Sequence, residues 1–314
     1  MSAALLFPGQ GSQAVGMGAE LFANFKLVKD LFSKADERLN YPISKLILEG
    51  PEEKLQLTKN TQPAILTVSY SIFKVLKEEF NFDFSSFNYF AGHSLGEYSA
   101  LVSSESLDFN DALYLLHERG KAMQNAVPLG EGSMIAILGL SSKEIEELLN
   151  KRNDKNCICE IANDNAEGQV IVSGNKLGIS SIQNLLKEKK IKSIALKVSA
   201  PFHCSLMKPA ADTMKEKIEK VNFKKPLCKI VNNVTATSQN DPKVLKKLLV
   251  DQIFSTVKWR ESIIKMSENG VKNFVEIGPG KVLTGMAKRT VKGANYFSIN
   301  SIADIKNFIN EFKK

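Results

Sequence analysis

Tyr89-Phe90-Ala91-Gly92-His93-Ser94-Leu95-Gly96 sets a short apolar run against a Gly-x-Ser-x-Gly corner, and a helical stretch, Glu97–Val102, follows it. A strand that turns sharply into a helix needs glycines on both arms of the corner, and a serine at the apex keeps its hydroxyl exposed at the helix start. The backbone N–H of Leu95 is then placed to meet an oxygen that gains negative charge. Ser94 is therefore the candidate nucleophile. The plainer reading is a small-residue turn with no chemistry.

Outward from this corner, strands and helices alternate. Ala3–Phe7 reads as a buried strand ending at Pro8-Gly9-Gln10-Gly11, and Thr61–Glu79 has helical periodicity. Asn273–Ile277 is another strand, broken by Gly278-Pro279-Gly280 before a helical Lys281–Arg289. Such alternation predicts an α/β fold with a mostly parallel sheet covered on both faces. The Gly-Pro-Gly turn lacks the Lys-Ser/Thr of a P-loop and the glycine spacing of a dinucleotide fingerprint, so it reads as structural.

The middle of the chain differs. Strands at Ser133–Leu140, Cys157–Ala162, Gln169–Ser173 and Ser193–Val198 interleave with helices at Lys143–Lys151 and Gly178–Lys189. The order β-α-β-β-α-β is the ferredoxin-like pattern. A small subdomain, 129–199, inserted into a large domain built from 1–128 and 200–314, is the expected organisation.

The 314 residues, 43% hydrophobic and 24% charged, suffice for a large domain carrying a smaller one. No apolar run approaches the roughly 20 residues that span a bilayer, and the start lacks the features of a signal or transit peptide. A cytoplasmic protein without membrane association is expected. Cys157-x-Cys159 has neither a metal-ligand nor a redox spacing; on a strand the two would share one face, and with Cys204 and Cys228 they read as free thiols. The formal charge is +8, but the lysines are dispersed and no aromatic-interleaved basic motif occurs, which argues against nucleic acid. The excess reads as solvated helix faces or as a surface for an acidic or phosphorylated partner.

A serine nucleophile needs a base. Of the three histidines, His93 adjoins Ser94 on a tight turn where consecutive side chains diverge, and His117 lies within a helix. His203, in the irregular Ala200-Pro201-Phe202-His203 segment, is left. Arg119 falls on the apolar stripe of the helix Asp111–Met123, seven residues after Ala112. A core-facing guanidinium needs an anionic partner. That partner is either a local Asp or Glu, or the carboxylate of a substrate held by the planar fork near the serine.

Taken together, Pro8-Gly9-Gln10-Gly11-Ser12-Gln13, Gly92-His93-Ser94-Leu95-Gly96-Glu97, Arg119, Pro201-Phe202-His203-Cys204, Gln252 and Glu276-Ile277-Gly278-Pro279-Gly280 resemble the malonyl-CoA:acyl carrier protein transacylases, in order and over essentially the whole chain. The resemblance implies an α/β-hydrolase-like core with an inserted ferredoxin-like subdomain. It implies acylation of Ser94 with His203 as base, the backbone carbonyl of Gln252 orienting the imidazole, and the amides of Gln10 and Leu95 as oxyanion hole. Arg119 would hold the malonyl carboxylate, and Asn165 would approach the pocket from the small subdomain. Lys190 and Lys192 would contact coenzyme A phosphates or the acidic carrier. Phe202 before His203 is similar to malonyl-selective members. No cofactor or metal is implied, the acceptor being a carrier-borne phosphopantetheine thiol; a monomer serving fatty acid synthesis is expected. Three alternatives stay open: a free-standing acyltransferase of polyketide synthesis, a serine thioesterase or hydrolase, and an idle acyl-binding partner.

Overall fold

The computed structural model describes residues 2–151, 156–196, 198 and 200–312. Their strands form two sheets. β1 (Ser2–Phe7) and β2 (Phe87–Gly92) open the larger; β3 (Gly132–Leu138), β4 (Cys159–Ala166), β5 (Gln169–Asn175) and β6 (Ser193–Ala195) make the smaller; β7 (Lys229–Val231), β8 (Ser238–Gln239), β9 (Val271–Ile277) and β10 (Asn295–Ile299) return to the larger. The large sheet runs β10-β9-β1-β2-β7-β8, parallel throughout except for β8, which pairs antiparallel with β7.

β1 shows why the apolar run at the N-terminus forms a central strand. Ala3, Leu5 and Phe7 point into one apolar cluster, Ala4 and Leu6 into another on the opposite face, and all five are fully buried. A strand buried on both faces needs a continuous apolar run rather than alternation. On the first face lie helices α1 (Thr58–Lys74), α2 (Gly96–Ser103) and α3 (Phe109–Asn125). α1 is buried almost all round, and the expected helix over Thr61–Glu79 is continued as a wider π-wound turn, Val75–Glu79. The N-terminus of α3 is fixed by Asp108, whose carboxylate accepts from the amides of Asn110 and Asp111.

The small sheet is antiparallel in the order β4-β5-β3-β6, with α4 (Ser142–Asn150) and α5 (Lys176–Glu188) supplying the two crossovers. This is the ferredoxin-like arrangement. Ile135, Ile137, Val170 and Val172 face the two helices, whereas Met134, Ala136 and Ile171 on the other face join the core of the large unit. The sheet is thus apolar on both sides and lies on the large unit as a roof. Its entry and exit are adjacent, for a Cβ on Gly132 would stand 2.3 Å from the Pro201 ring. β4 is also bound to the large unit: Val257 N donates to Ala162 O (2.8 Å), Asp164 N donates to Val257 O (3.0 Å), and Arg260 pairs with Asp164 at 3.0 Å.

Two local expectations are corrected. β4 starts at Cys159 rather than Cys157, because its partner β5 gives way to the N-cap of α5 at Asn175, one residue beyond the Cys159–Gly174 pairing. Cys157 is half-buried outside the strand. The strand expected over Ser193–Val198 ends at Ala195, and Lys197 and Ser199 lie outside the described residues. Among the described residues no helix is long and apolar enough to cross a membrane.

Candidate active site

The C-terminal ends of β1 and β2 are in register, Phe7 against Gly92, so the Pro8–Gly11 loop and the serine corner emerge side by side. Two glycines make this fit possible. A Cβ on Gly92 would lie 1.9 Å from the Gly96 backbone, and one on Gly96 would lie 2.2 Å from Phe7 O. Ser94 itself takes φ 51°, a left-handed conformation costly for a residue with a side chain and held here by its surroundings. Asn233 supplies that hold. Its Oδ1 accepts from Ser94 N (2.7 Å) while its Nδ2 donates to Gly92 O (2.8 Å), gripping both arms of the corner.

Ser94 Oγ lies 2.8 Å from His203 Nε2. On the far side of the ring, His203 Nδ1 is 2.8 Å from Gln252 O, the last residue of α6 (Pro242–Gln252). A carbonyl can only accept, so Nδ1 carries the proton and Nε2 is left with the lone pair that faces the serine hydroxyl. Burial, reinforced by the nearby Arg119 charge, pushes the His203 pKa down to about 3. The imidazole is therefore neutral and ready to accept.

Arg119, on α3, is 1% exposed. Nη1 donates to Gln62 Oε1 (2.7 Å), and Nη2 donates to Gln252 Oε1 (2.8 Å) and to Ser94 Oγ (3.1 Å). Its hydrogen-bond acceptors are all neutral oxygens, and its buried Nε has no partner among the described residues. Among the described residues, no local carboxylate pairs with it directly. Glu97, fully buried on α2, is one residue removed: its Oε2 accepts from Gln252 Nε2 (2.8 Å) and Asn233 N (3.1 Å), and Oε1 has no partner among the described residues. Burial pushes its carboxyl up to about 7.

A cavity of about 110 Å³ opens over these groups, walled by Gln10, His93, Ser94, Leu95, Arg119, Met123, Met134, Asn163, Leu196, Val198, Phe202 and His203, among others. The Gln10 and Leu95 amides meet no acceptor among the described residues. Asn165 stands a step behind the wall, its Oδ1 2.8 Å from His93 Nε2, and Asn163, two residues earlier, is the β4 residue on the cavity. Lys190 and Lys192 are exposed in the turn between α5 and β6, away from the cavity wall. His117 is engaged elsewhere, its Nδ1 3.0 Å from Lys59 O.

The Glu276–Gly280 turn is structural. The Glu276 carboxylate accepts from the amides of Leu283 and Thr284 and so caps α7 (Val282–Thr290). Gly278, at φ 145°, allows close approach of Pro8, which leads into the Gln10 loop. Gln62, Asn233 and the linking role of Glu97 were not legible beforehand, since each acts across a long sequence separation.

The acyl transferase domain family matches residues 4–312. A malonyl CoA-acyl carrier protein transacylase of Bacillus subtilis (strain 168) is 41% identical over 313 residues, 99% of this chain and 97% of its own length. The chain belongs to the malonyl CoA-acyl carrier protein transacylase family. Among solved structures, the acyl-carrier-protein S-malonyltransferase of Bartonella henselae superposes with a TM-score of 0.94 at 39% identity, covering 100% of both chains. A malonyl-transacylase solved in complex with a type II polyketide synthase acyl-carrier protein gives 0.94 at 38% identity, over 99% of this chain and 100% of its own. The two-sheet architecture is therefore the transacylase fold over its whole length.

Proposed function

We propose that this chain moves a malonyl group from coenzyme A to the phosphopantetheine thiol of an acyl carrier protein through a seryl ester on Ser94, supplying fatty acid synthesis. The observation that carries this reading is the position of Ser94 Oγ, within hydrogen-bonding distance of both His203 Nε2 and Arg119 Nη2. One contact activates the hydroxyl, and the other marks where an acyl group with a free acid ends.

In the first half-reaction the Ser94 proton passes to His203 Nε2 as Oγ attacks the thioester carbonyl. The oxyanion sits between the amides of Gln10 and Leu95; a donor of this kind is worth about 2.7–4 kcal/mol. Collapse breaks the C–S bond, and the imidazolium proton goes to the departing sulfur, releasing coenzyme A as the thiol. The carrier thiol then gives its proton to His203, attacks the seryl ester and leaves with the malonyl group, while Ser94 regains its proton. Arg119 exchanges its contact with Ser94 for the malonyl carboxylate, to which the unpartnered Nε also turns. Lys190 and Lys192 offer the carrier a basic edge.

A thioesterase triad would place a carboxylate behind the imidazole, whereas His203 has a carbonyl there. Likeness to the transacylase solved with a polyketide carrier supports polyketide assembly as a second destination for the same chemistry. The test is intact-mass analysis with malonyl-CoA: one malonyl group should accumulate on the peptide holding Ser94 and discharge when holo-carrier is added. Free malonate released at a comparable rate without carrier would instead favour hydrolysis.

The pH profile follows from His203. Protonation removes the base, so acylation falls as pH drops through its pKa, which lies far below the ordinary 6.5. Single-turnover acylation from acetyl-CoA, whose acyl group offers Arg119 no carboxylate, is expected to stay level from neutrality down to about pH 5. An acid limb centred near 6.5 would contradict a buried, neutral His203.

A further inference from the structure

We propose that Glu97 is a positioning residue for acyl selection: acting through the Gln252 carboxamide, it holds the Arg119 guanidinium aimed at the acyl pocket. This rests on the reading of Arg119 as the receptor of the acyl carboxylate.

A carboxamide can sit either way round, and the groups about Gln252 allow only one. Its Nε2 faces three oxygens, Glu97 Oε2 at 2.8 Å, Ser94 O at 3.1 Å and Asn233 Oδ1 at 3.2 Å. All three also accept a backbone amide, Ser94 O from Glu97 N, Asn233 Oδ1 from Ser94 N and Glu97 Oε2 from Asn233 N. Glu97 gives the shortest of the three contacts and is the ionisable one. Turning the amide over would set Oε1 against those oxygens and Nε2 against an Arg119 N–H, repulsive at both ends. Gln252 Oε1 is thereby committed to Arg119 Nη2, while Gln62 holds Nη1.

The intervening amide also explains why a buried arginine lacks a carboxylate of its own. A carboxylate in direct contact would compete with an incoming acid for the same fork. Relaying Glu97 through a neutral amide keeps the guanidinium oriented and leaves Nε free for the ligand.

The experiment compares Ser94 acylation from malonyl-CoA and acetyl-CoA, as kcat and KM, in Glu97→Gln, Gln252→Met and Arg119→Ala. Glu97→Gln keeps volume and one acceptor oxygen. Gln252→Met keeps the backbone carbonyl behind His203 but removes the amide. Gln252→Met, which removes the charge-assisted hydrogen bond to Arg119, should lower the malonyl-to-acetyl ratio of kcat/KM about tenfold, and Glu97→Gln, which keeps the contact to Gln252 but removes its charge, should lower the ratio about threefold. A merely structural Glu97 would depress both donors alike. If Arg119→Ala leaves the ratio unchanged, the carboxylate-receptor reading itself is wrong. If Arg119→Ala collapses the ratio while Glu97→Gln and Gln252→Met do not alter it, only the positioning role is overturned. Should Glu97→Gln fail to fold, Gln252→Met decides alone.

Discussion

Ser94→Ala is expected to fold normally, to form no acyl adduct with malonyl-CoA, and to lose transfer activity by about 10⁴-fold or more, in line with loss of a catalytic nucleophile. The substitution keeps the Cβ and the backbone amide that Asn233 grips, so the left-handed corner persists. What disappears is the hydroxyl in contact with His203 Nε2. The stability cost should be about 1 kcal/mol, a shift of a few degrees in Tm. Thermal unfolding and intact-mass analysis on one preparation check both halves of this expectation. Transfer by the alanine variant at the native rate would remove the covalent route.

Arg119→Ala should cut kcat/KM for malonyl-CoA by about 10²–10³-fold, the range for truncating one partner of a buried, hydrogen-bonded charge pair. Acetyl-CoA has no carboxylate to lose contact with, so its acylation should fall much less, and the ratio of the two donors should collapse. Arg119→Lys should not restore malonyl loading, because an ammonium cannot span Gln62, Gln252 and an acyl carboxylate as the planar fork does. Competition between the two donors, read by mass on Ser94, gives the ratio in one tube. Equal losses on both would mean that Arg119 supports the corner rather than reading the acyl group.

The parts of this site that were legible in the sequence are those in which local geometry restricts residue choice. Gly92 and Gly96 are dictated by backbone atoms within 2.2 Å of where a Cβ would stand, so the corner announces itself. The ferredoxin-like unit was legible because apolar runs there change period twice in the same order. Arg119 stood out as a charge on an apolar stripe, but nothing in its helix reveals that its acceptors are Gln62 and Gln252. Asn233 gives no signal at all, being a polar residue in a loop after a three-residue strand, and its function exists only through Ser94, 139 positions away. The carbonyl of Gln252 is invisible to residue-type reasoning, since every residue has one; the resemblance alone pointed to it. β7 and β8 also escaped notice, because two or three residues are too few to show a period.

The anchoring of β4 has a mechanical consequence. Backbone bonds to Val257, the Arg260 fork on Asp164 and the Asn165–His93 contact all fasten the same edge of the roof, whereas β6 is the opposite edge of that sheet. The roof is thus pinned along β4 and, through its two chain crossings beside Gly132 and Pro201, on its other side as well, so the wall it lends the cavity is held in place over Ser94.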